Sequence, residues 1–148
     1  MNLNNQYQRN LCYVKLRQNS SYLIPYFTFK VSAGFPSPAD DYIEAPLDLN
    51  DYLVRHPSAT FFVRATGDSM TGAGIFPNDI LVVDRSLKPI SGKIIIAMVD
   101  GEFCVKRLRM LKKQIHLISE NPKYPPLEIR EGQDFEVWGV VSFVLHAV

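Results

Sequence analysis

Residues 93–108 read KIIIAMVDGEFCVKRL, and this stretch decides the fold class. An apolar run from Lys93 to Val99 is followed by Asp100-Gly101 and then by a second run from Phe103 to Leu108. Asp-Gly between two such runs is a strong signal for a two-residue hairpin turn, in which both central residues need a positive φ. The stretch therefore predicts two neighbouring antiparallel strands.

Short apolar runs separated by turn residues continue on both sides of this hairpin. They predict further strands at residues 61–65, 79–84, 114–119 and 136–145. A short helix is predicted from Asn50, as its N-cap, to His56, because Pro57 would stop it. Asn121-Pro122 and Pro125-Pro126 predict a loop between the last two strands. With hardly any helix, the chain is expected to be mostly β, a single domain of short twisted strands with sheets packed or partly rolled up.

The N-terminal segment has a different composition. Residues 1–21 are rich in Asn, Gln and Ser and are predicted to be poorly ordered. Tyr22 to Val31 is apolar and β-prone, and we expect it to add to the body as an edge strand. Residues 34–46 are predicted to form an extended linker, because Pro36 and Pro38 favour extended geometry in the residues before them.

Length, the lack of long apolar runs and the cysteine content limit the classes of protein to which this chain can belong. The chain has 148 residues, and no apolar run approaches the ~20 residues that span a bilayer. There is no secretory signal, and Cys12 and Cys104 are too few for a disulfide framework or a metal site. These features predict a cytoplasmic protein with no membrane contact, no metal and no cofactor.

The net charge of +1 hides an asymmetry. Residues 1–33 contain four basic and no acidic side chains, so this arm carries +4 and residues 34–148 carry −3. The arm could be a solvated tail, could be attracted to the body, or could form a thin DNA-binding patch. The acidic body argues against direct, sequence-specific binding of DNA by the core.

Two further stretches carry candidate chemistry. Thr66-Gly67-Asp68-Ser69-Met70 is a loop after an apolar run, and Val105-Lys106-Arg107 lies in the second strand of the hairpin. A serine hydroxyl needs a base to become a nucleophile, and a neutral lysine can be that base. Either residue alone is more often structural, since a serine after Gly-Asp commonly completes a turn and a strand lysine is commonly solvated.

A third stretch, Val31-Ser32-Ala33-Gly34-Phe35-Pro36, changes that interpretation. Ala33 precedes Ser69 by 36 positions, and Ser69 precedes Lys106 by 37. Ala-Gly, Gly-Asp-Ser-Met and Val-Lys-Arg in this order and spacing resemble the self-cleaving LexA/UmuD peptidase family, and its UmuD-type members in particular. The segments at 33–42, 56–60 and 100–103 are similar to UmuD-type sequences as well, and the resemblance covers about residues 22–147.

This resemblance implies the β-rich LexA/UmuD fold and assigns roles. Ser69 would be the nucleophile, Lys106 the base, and the Ala33–Gly34 bond the cleavage site. The products would be an arm, residues 1–33, and a domain, residues 34–148, that serves a UmuC-type translesion DNA polymerase in the SOS response. Resemblance also implies a homodimer and activation by the RecA–single-stranded DNA filament.

The chemistry places demands on neighbouring residues. Lys106 needs a lowered pKa, for which burial is the main available cause. The backbone amides of Ser69 and then Asp68 are our candidates to stabilise the oxyanion. Val31 would lie on the same side as Ala33 in an extended substrate and be read by a small pocket.

Other residues bear on the mechanism. Asp68 suggests a Ser-His-Asp triad, yet His56, His116 and His146 stand in no motif. Cys104 shares a strand face with Lys106, at a position where similar proteins commonly have Thr. A thiol is a weak hydrogen-bond partner, and we expect Cys104 itself not to be a nucleophile.

Three other functions compete with self-processing. A LexA-like repressor would lack its DNA-binding domain here, because 33 residues with Pro25 cannot hold a helix-turn-helix module. A signal peptidase would have the same pair of residues but needs a membrane anchor. A non-catalytic β-rich interaction module is the third.

Overall fold

The computed structural model describes residues 24–27, 31–36 and 44–148. The chain divides into two compact units, Met1–Asp48 and Leu49–Val148. The predicted poorly ordered segment, residues 1–21, lies outside the described residues. No helix in the described part of the chain is long and apolar enough to cross a membrane.

The first unit contains a two-stranded antiparallel sheet. Strand β1 is Ile24–Phe27 and strand β2 is Glu44–Leu47, with Ile24 opposite Leu47 and Phe27 opposite Glu44. The prediction of a strand within residues 22–31 is confirmed for β1. The expectation that it adds to the body as an edge strand is wrong in its partner, because β1 pairs with β2 and not with a strand of the larger sheet. The prediction of a linker over 34–46 is wrong at its end, because extended backbone becomes a strand once a neighbour pairs with it.

The second unit contains one helix and a seven-stranded sheet, in the order β3-β4-β9-β5-β6-β7-β8, with every neighbouring pair antiparallel. The elements are α1 Leu49–Leu53, β3 Thr60–Arg64, β4 Ile80–Asp84, β5 Ile94–Val99, β6 Glu102–Leu111, β7 Gln114–Ile118, β8 Leu127–Ile129 and β9 Phe135–Leu145. The mostly-β prediction is thus confirmed, as are the predicted strands. Strand β8 was not predicted, because it is three residues long and directly follows the prolines that indicated a loop.

Helix α1 is shorter than predicted and starts earlier. Asn50 lies inside the helix rather than at its N-cap, and the helix ends three residues before His56. The carbonyl of His56 instead accepts hydrogen bonds from the Ala59 amide and the Thr60 hydroxyl. Pro57 explains the difference, because proline disfavours helical geometry in the residue before it as well as continuation beyond it.

Both faces of the sheet bury apolar side chains. Ile96 belongs to a cluster with Ala65, Met70, Ile75, Leu81 and Val83. Its neighbours Ile95 and Ala97 belong to a second cluster, with Leu108, Leu117 and Val140. Because successive residues of a strand point to opposite faces, β5 is buried on both sides. The pairing of β9 shifts once against β4 and once against β5, and such bulges bend a strand.

Two hairpin turns flank β6. Asp100 and Gly101 have φ values of 49° and 85°, which confirms the predicted two-residue turn between β5 and β6. The turn between β6 and β7 has the same form, with Lys112 at φ 45° and Lys113 at φ 77°. No Asn-Gly or Asp-Gly pair marks this second turn, so the sequence did not reveal its type.

Candidate active site

Ser69 and Lys106 meet in the second unit. The Lys106 Nζ donates a hydrogen bond of 2.8 Å to the Ser69 Oγ, and both side chains are partly buried. Ser69 lies in the turn after β3. Two backbone hydrogen bonds fix the chain at the end of β3, because the Ala65 amide donates to the Asp79 carbonyl and the Asn78 amide donates to the Ala65 carbonyl. Lys106 lies in the middle of β6, opposite Ile95 of β5. Two segments 37 residues apart thus bring together the predicted nucleophile and base.

The two side chains line a cleft of about 330 Å³. Apolar side chains form much of its wall, among them Val63, Met70, Ile75, Ile96, Phe103 and Val105. Burial lowers the pKa of Lys106, because removing an ammonium group from water disfavours its charged form, and the nearby Cys104 opposes this only in part. The neutral amine that a general base requires is therefore more accessible here than in a solvated lysine.

Cys104 lies beside Lys106 but does not share its hydrogen bond. Burial raises the pKa of the Cys104 thiol, and Lys106 lowers it by a smaller amount. A thiol with a raised pKa stays protonated at neutral pH, and the thiolate is the reactive form. Within the described residues, the hydroxyl of Ser69 is the group that the Lys106 amine contacts.

The geometry does not support a Ser-His-Asp triad. The Asp68 carboxylate accepts a hydrogen bond from the Tyr124 hydroxyl, which is the main cause of its lowered pKa. His56 Nδ1 lies 2.7 Å from the buried Asp84, and His146 Nδ1 lies 2.6 Å from the buried Asp79. These two histidines therefore pair with aspartates other than Asp68.

One of the two candidate oxyanion donors has no competing partner. Among the described residues, the backbone amide of Ser69 donates no hydrogen bond, whereas a hydrogen bond from the Asp68 amide to its own carboxylate helps to lower the pKa of that carboxylate. Gly67, directly before them, has φ 76°, a conformation that glycine adopts without steric cost. The left-handed turn at Gly67 redirects the chain just before the two amides, and the Ser69 amide can serve a negative charge without losing another partner.

The predicted cleavage-site residues lie in the first unit. Residues 31–36 are exposed, with a bend at Ala33–Phe35, and the Gly34 amide donates a hydrogen bond of 3.1 Å to the Ser32 Oγ. This hydrogen bond closes a local turn just after Val31. The role of Val31 as a specificity residue stays a prediction.

One contributor to the site was missed by sequence reasoning. The segment Glu120–Tyr124 follows β7 and contacts the serine loop at several points, including a hydrogen bond of 2.9 Å from Asn121 Nδ2 to the Asp68 carbonyl. Asn121-Pro122 marked this segment only as a turn. Nothing in the spacing indicated which loop it would meet.

No group of three or more His, Cys, Asp or Glu side chains is arranged to hold a metal ion in the part of the chain that the structure describes.

The comparisons with known proteins agree with one another. The Peptidase S24-like family matches residues 25–142. Protein SamA of Salmonella typhimurium is 52% identical over 122 residues, which cover 82% of this chain and 84% of SamA. Protein ImpA of Shigella flexneri is 46% identical over 129 residues, covering 86% and 87%. Protein MucA of Escherichia coli is 45% identical over 123 residues, covering 82% and 84%. The chain is a UmuD-type member of the LexA/UmuD family of S24 peptidases.

Proposed function

We propose that this protein is a self-processing serine peptidase that cuts its own Ala33–Gly34 bond with a dyad of Ser69 and Lys106. The observation that carries the proposal is the 2.8 Å hydrogen bond between Lys106 Nζ and Ser69 Oγ in a cleft whose wall includes several apolar side chains. Membership of a peptidase family gives it independent support.

The reaction follows from these groups. Neutral Lys106 takes the proton of Ser69, whose Oγ attacks the carbonyl carbon of Ala33. The amides of Ser69 and Asp68 stabilise the oxyanion, and the Lys106 ammonium then protonates the departing amine of Gly34. Water, deprotonated by Lys106, hydrolyses the Ala33–Ser69 ester and restores the hydroxyl. Arg107 has no part in the proton transfer, because its side chain bonds to Glu120 and to the Gly92 carbonyl.

The proposed role of the cut is regulatory. As a cytoplasmic protein of the SOS response, the chain would act as a homodimer, be stimulated by the RecA–single-stranded DNA filament, and release residues 34–148 as an accessory subunit of a UmuC-type translesion polymerase. Family membership supports this assignment. A Lys106 that is still largely charged at neutral pH would keep the activity low until the filament is present.

Intact mass measured after incubation from pH 7 to pH 11 tests the cleavage. We expect two products, residues 1–33 and 34–148, formed faster as pH rises and at a constant rate once Lys106 is neutral. Because the lysine pKa is lowered, the midpoint should fall below the ordinary value of 10.5.

Ser69→Ala and Lys106→Ala should each abolish the cut, and the double variant should be no worse than either, since the two residues act as one unit. Lys88→Ala, at an exposed lysine, is the matched control. A cut at another bond would contradict the assigned cleavage site. No cut even with a RecA filament would contradict the proposal and favour a non-catalytic interaction module.

A further inference from the structure

The segment Glu120–Tyr124, called the clamp here, makes contacts that the proposed reaction does not yet use. We propose that Asn121 and Tyr124 are positioning residues, which fix Ser69 against Lys106 by holding Asp68 from two directions. The proposal rests on the proposed function and adds to it two residues that do not touch the reacting atoms.

The two contacts act on different parts of Asp68. The Asn121 side-chain amide donates to the Asp68 carbonyl oxygen at 2.9 Å. The Tyr124 hydroxyl donates to the Asp68 carboxylate. Asp68 is joined to Ser69 by a planar peptide bond, and the carbonyl that Asn121 holds belongs to that peptide. Fixing this group restrains the positions of the Ser69 N and Cα atoms, and so limits where the hydroxyl can lie.

The clamp also holds the far end of the serine loop. The Gly72 amide donates to the Glu120 carbonyl at 2.7 Å. A Cβ on residue 72 would lie 2.5 Å from that same oxygen, a distance that real contacts do not show, so the close approach requires glycine. Ser69 thus lies between two attachments to one segment, at Asp68 and at Gly72.

The same segment is tied to the strand that carries the lysine. The Glu120 carboxylate accepts a hydrogen bond from Arg107 Nε, and Arg107 also donates to the Gly92 carbonyl at 2.6 Å. Arg107 is the residue after Lys106 in β6, and β6 pairs with β7, which ends just before the clamp. The clamp therefore holds the serine and the lysine relative to one shared element.

Kinetics across pH separate positioning from other roles. Tyr124→Phe removes one hydroxyl and keeps the ring. Asn121→Asp removes the donor to Asp68 but keeps the acceptor oxygen that binds the Lys123 amide at 3.1 Å. Each should lower the high-pH rate of self-cleavage by about tenfold or more, because misplacement by ~1 Å can cost 10²-fold. In Tyr124→Phe the pH midpoint should not move, since this variant adds no charge and leaves the burial of Lys106 unchanged. The new carboxylate of Asn121→Asp can itself raise the pKa of Lys106, so that variant is judged by its high-pH rate alone.

Tyr52→Phe is the matched control, because the Tyr52 hydroxyl forms no hydrogen bond within the described residues and its ring packs on Phe143. It should leave the rate unchanged. A wild-type rate in both clamp variants would overturn the proposal. So would a rate loss in Tyr124→Phe accompanied by a shifted midpoint, or a rate loss in either variant explained by a fall in melting temperature.

A second measurement does not depend on cleavage. In a Ser69→Ala background, Tyr124→Phe and Asn121→Asp should each raise amide hydrogen exchange in residues 67–74 and leave β5 protected as before. If the wild-type chain never cuts itself, the proposed function fails and this measurement alone decides the inference. Unchanged exchange in the serine loop would then overturn it.

Discussion

At the scale of single residues, the partial burial of Lys106 favours its neutral amine and lowers the stability of the folded chain. Its pKa is lowered because the folded chain partly withdraws the ammonium group from water. Below the folded-state pKa, both folded and unfolded chains carry the proton and the folded chain bears the full penalty. As pH rises from that value to the unfolded value of 10.5, the unfolded chain binds more protons and stability increases.

Replacing the lysine should therefore have a pH-dependent effect. We expect Ser69→Ala/Lys106→Met to gain stability over Ser69→Ala at pH 7, because methionine fills similar space without charge. The gain should shrink as pH approaches 10.5, where the lysine is neutral in both states. Thermal unfolding of the two variants across this range provides the test, and a gap in melting temperature independent of pH would contradict the assigned cause.

Cys104 gives a second prediction for a single side chain. It lies beside Lys106, and its thiol is partly buried and protonated. A hydroxyl there could hydrogen-bond the lysine amine better than a thiol does. Cys104→Thr should then speed self-cleavage by about tenfold, equivalent to about 1.4 kcal/mol. Rates from intact mass decide this, and a slower Cys104→Thr would mean that thiol packing matters more than orientation of the amine.

The sequence predicted the meeting of Ser69 and Lys106 but did not predict the contacts that support it. Ser69 and Lys106 follow from motif spacing, because a Ser-Lys pair has recognisable neighbours on each side. Asn121 and Tyr124 lie more than fifty residues from Asp68 in sequence. Their contact depends on where β7 ends relative to the serine loop, and that follows from strand order, which the hydrophobic pattern does not contain.

At the scale of elements, the β6–β7 turn uses residues poorly suited to it. Lys112 and Lys113 both have positive φ, where a Cβ crowds the backbone. Lys113→Gly should raise the free energy of unfolding by about 0.5–1 kcal/mol. This net gain is the strain that glycine relieves in the folded turn, reduced by the greater conformational entropy of glycine in the unfolded chain. The urea midpoint of this variant in the Ser69→Ala background measures the gain.

Lys88→Gly is the control for that turn. Lys88 is also exposed, and it is absent from the described residues with positive φ. Glycine there adds only flexibility to the unfolded chain, so we expect no gain or a small loss. Equal effects of the two substitutions would show that the turn geometry is not the source.

The elements themselves show where local pattern suffices. β4, β5 and β9 were predicted because short apolar runs bounded by turn residues are typical of buried strands. Strand β2 was missed because Pro46 and its neighbours are compatible with either a linker or a strand, and pairing with β1 decides between them. The predicted helix ran to His56, three residues beyond the end of α1, because the local pattern could not show that a turn at residues 56–59 follows it.

At the scale of the whole molecule, the proposed cut would separate two parts of opposite charge. Residues 1–33 carry +4 and residues 34–148 carry −3. We expect residues 34–148, expressed alone, to fold, dimerise and bind a UmuC-type polymerase more tightly than full-length Ser69→Ala does, because a cationic arm would no longer be present to cover or neutralise an acidic docking surface.

Calorimetry on the two proteins measures the difference in affinity. A difference that shrinks at raised salt would come from the charge of the arm, and one that persists would come from the arm covering the surface. Equal affinities would show that the arm masks nothing. The cut would then have to act in another way, such as through altered turnover of the protein.

The pairing of β1 with β2 gives the cut a physical consequence of its own. The Ala33–Gly34 bond lies between these strands in sequence, so hydrolysis turns an intrachain pairing into an association of two separate molecules. A tether holds such partners at an effective concentration of about millimolar, and a two-stranded ribbon is marginal in water even with its tether. At cellular dilution the severed strand would diffuse away and could not rebind, which makes a single broken peptide bond an irreversible signal.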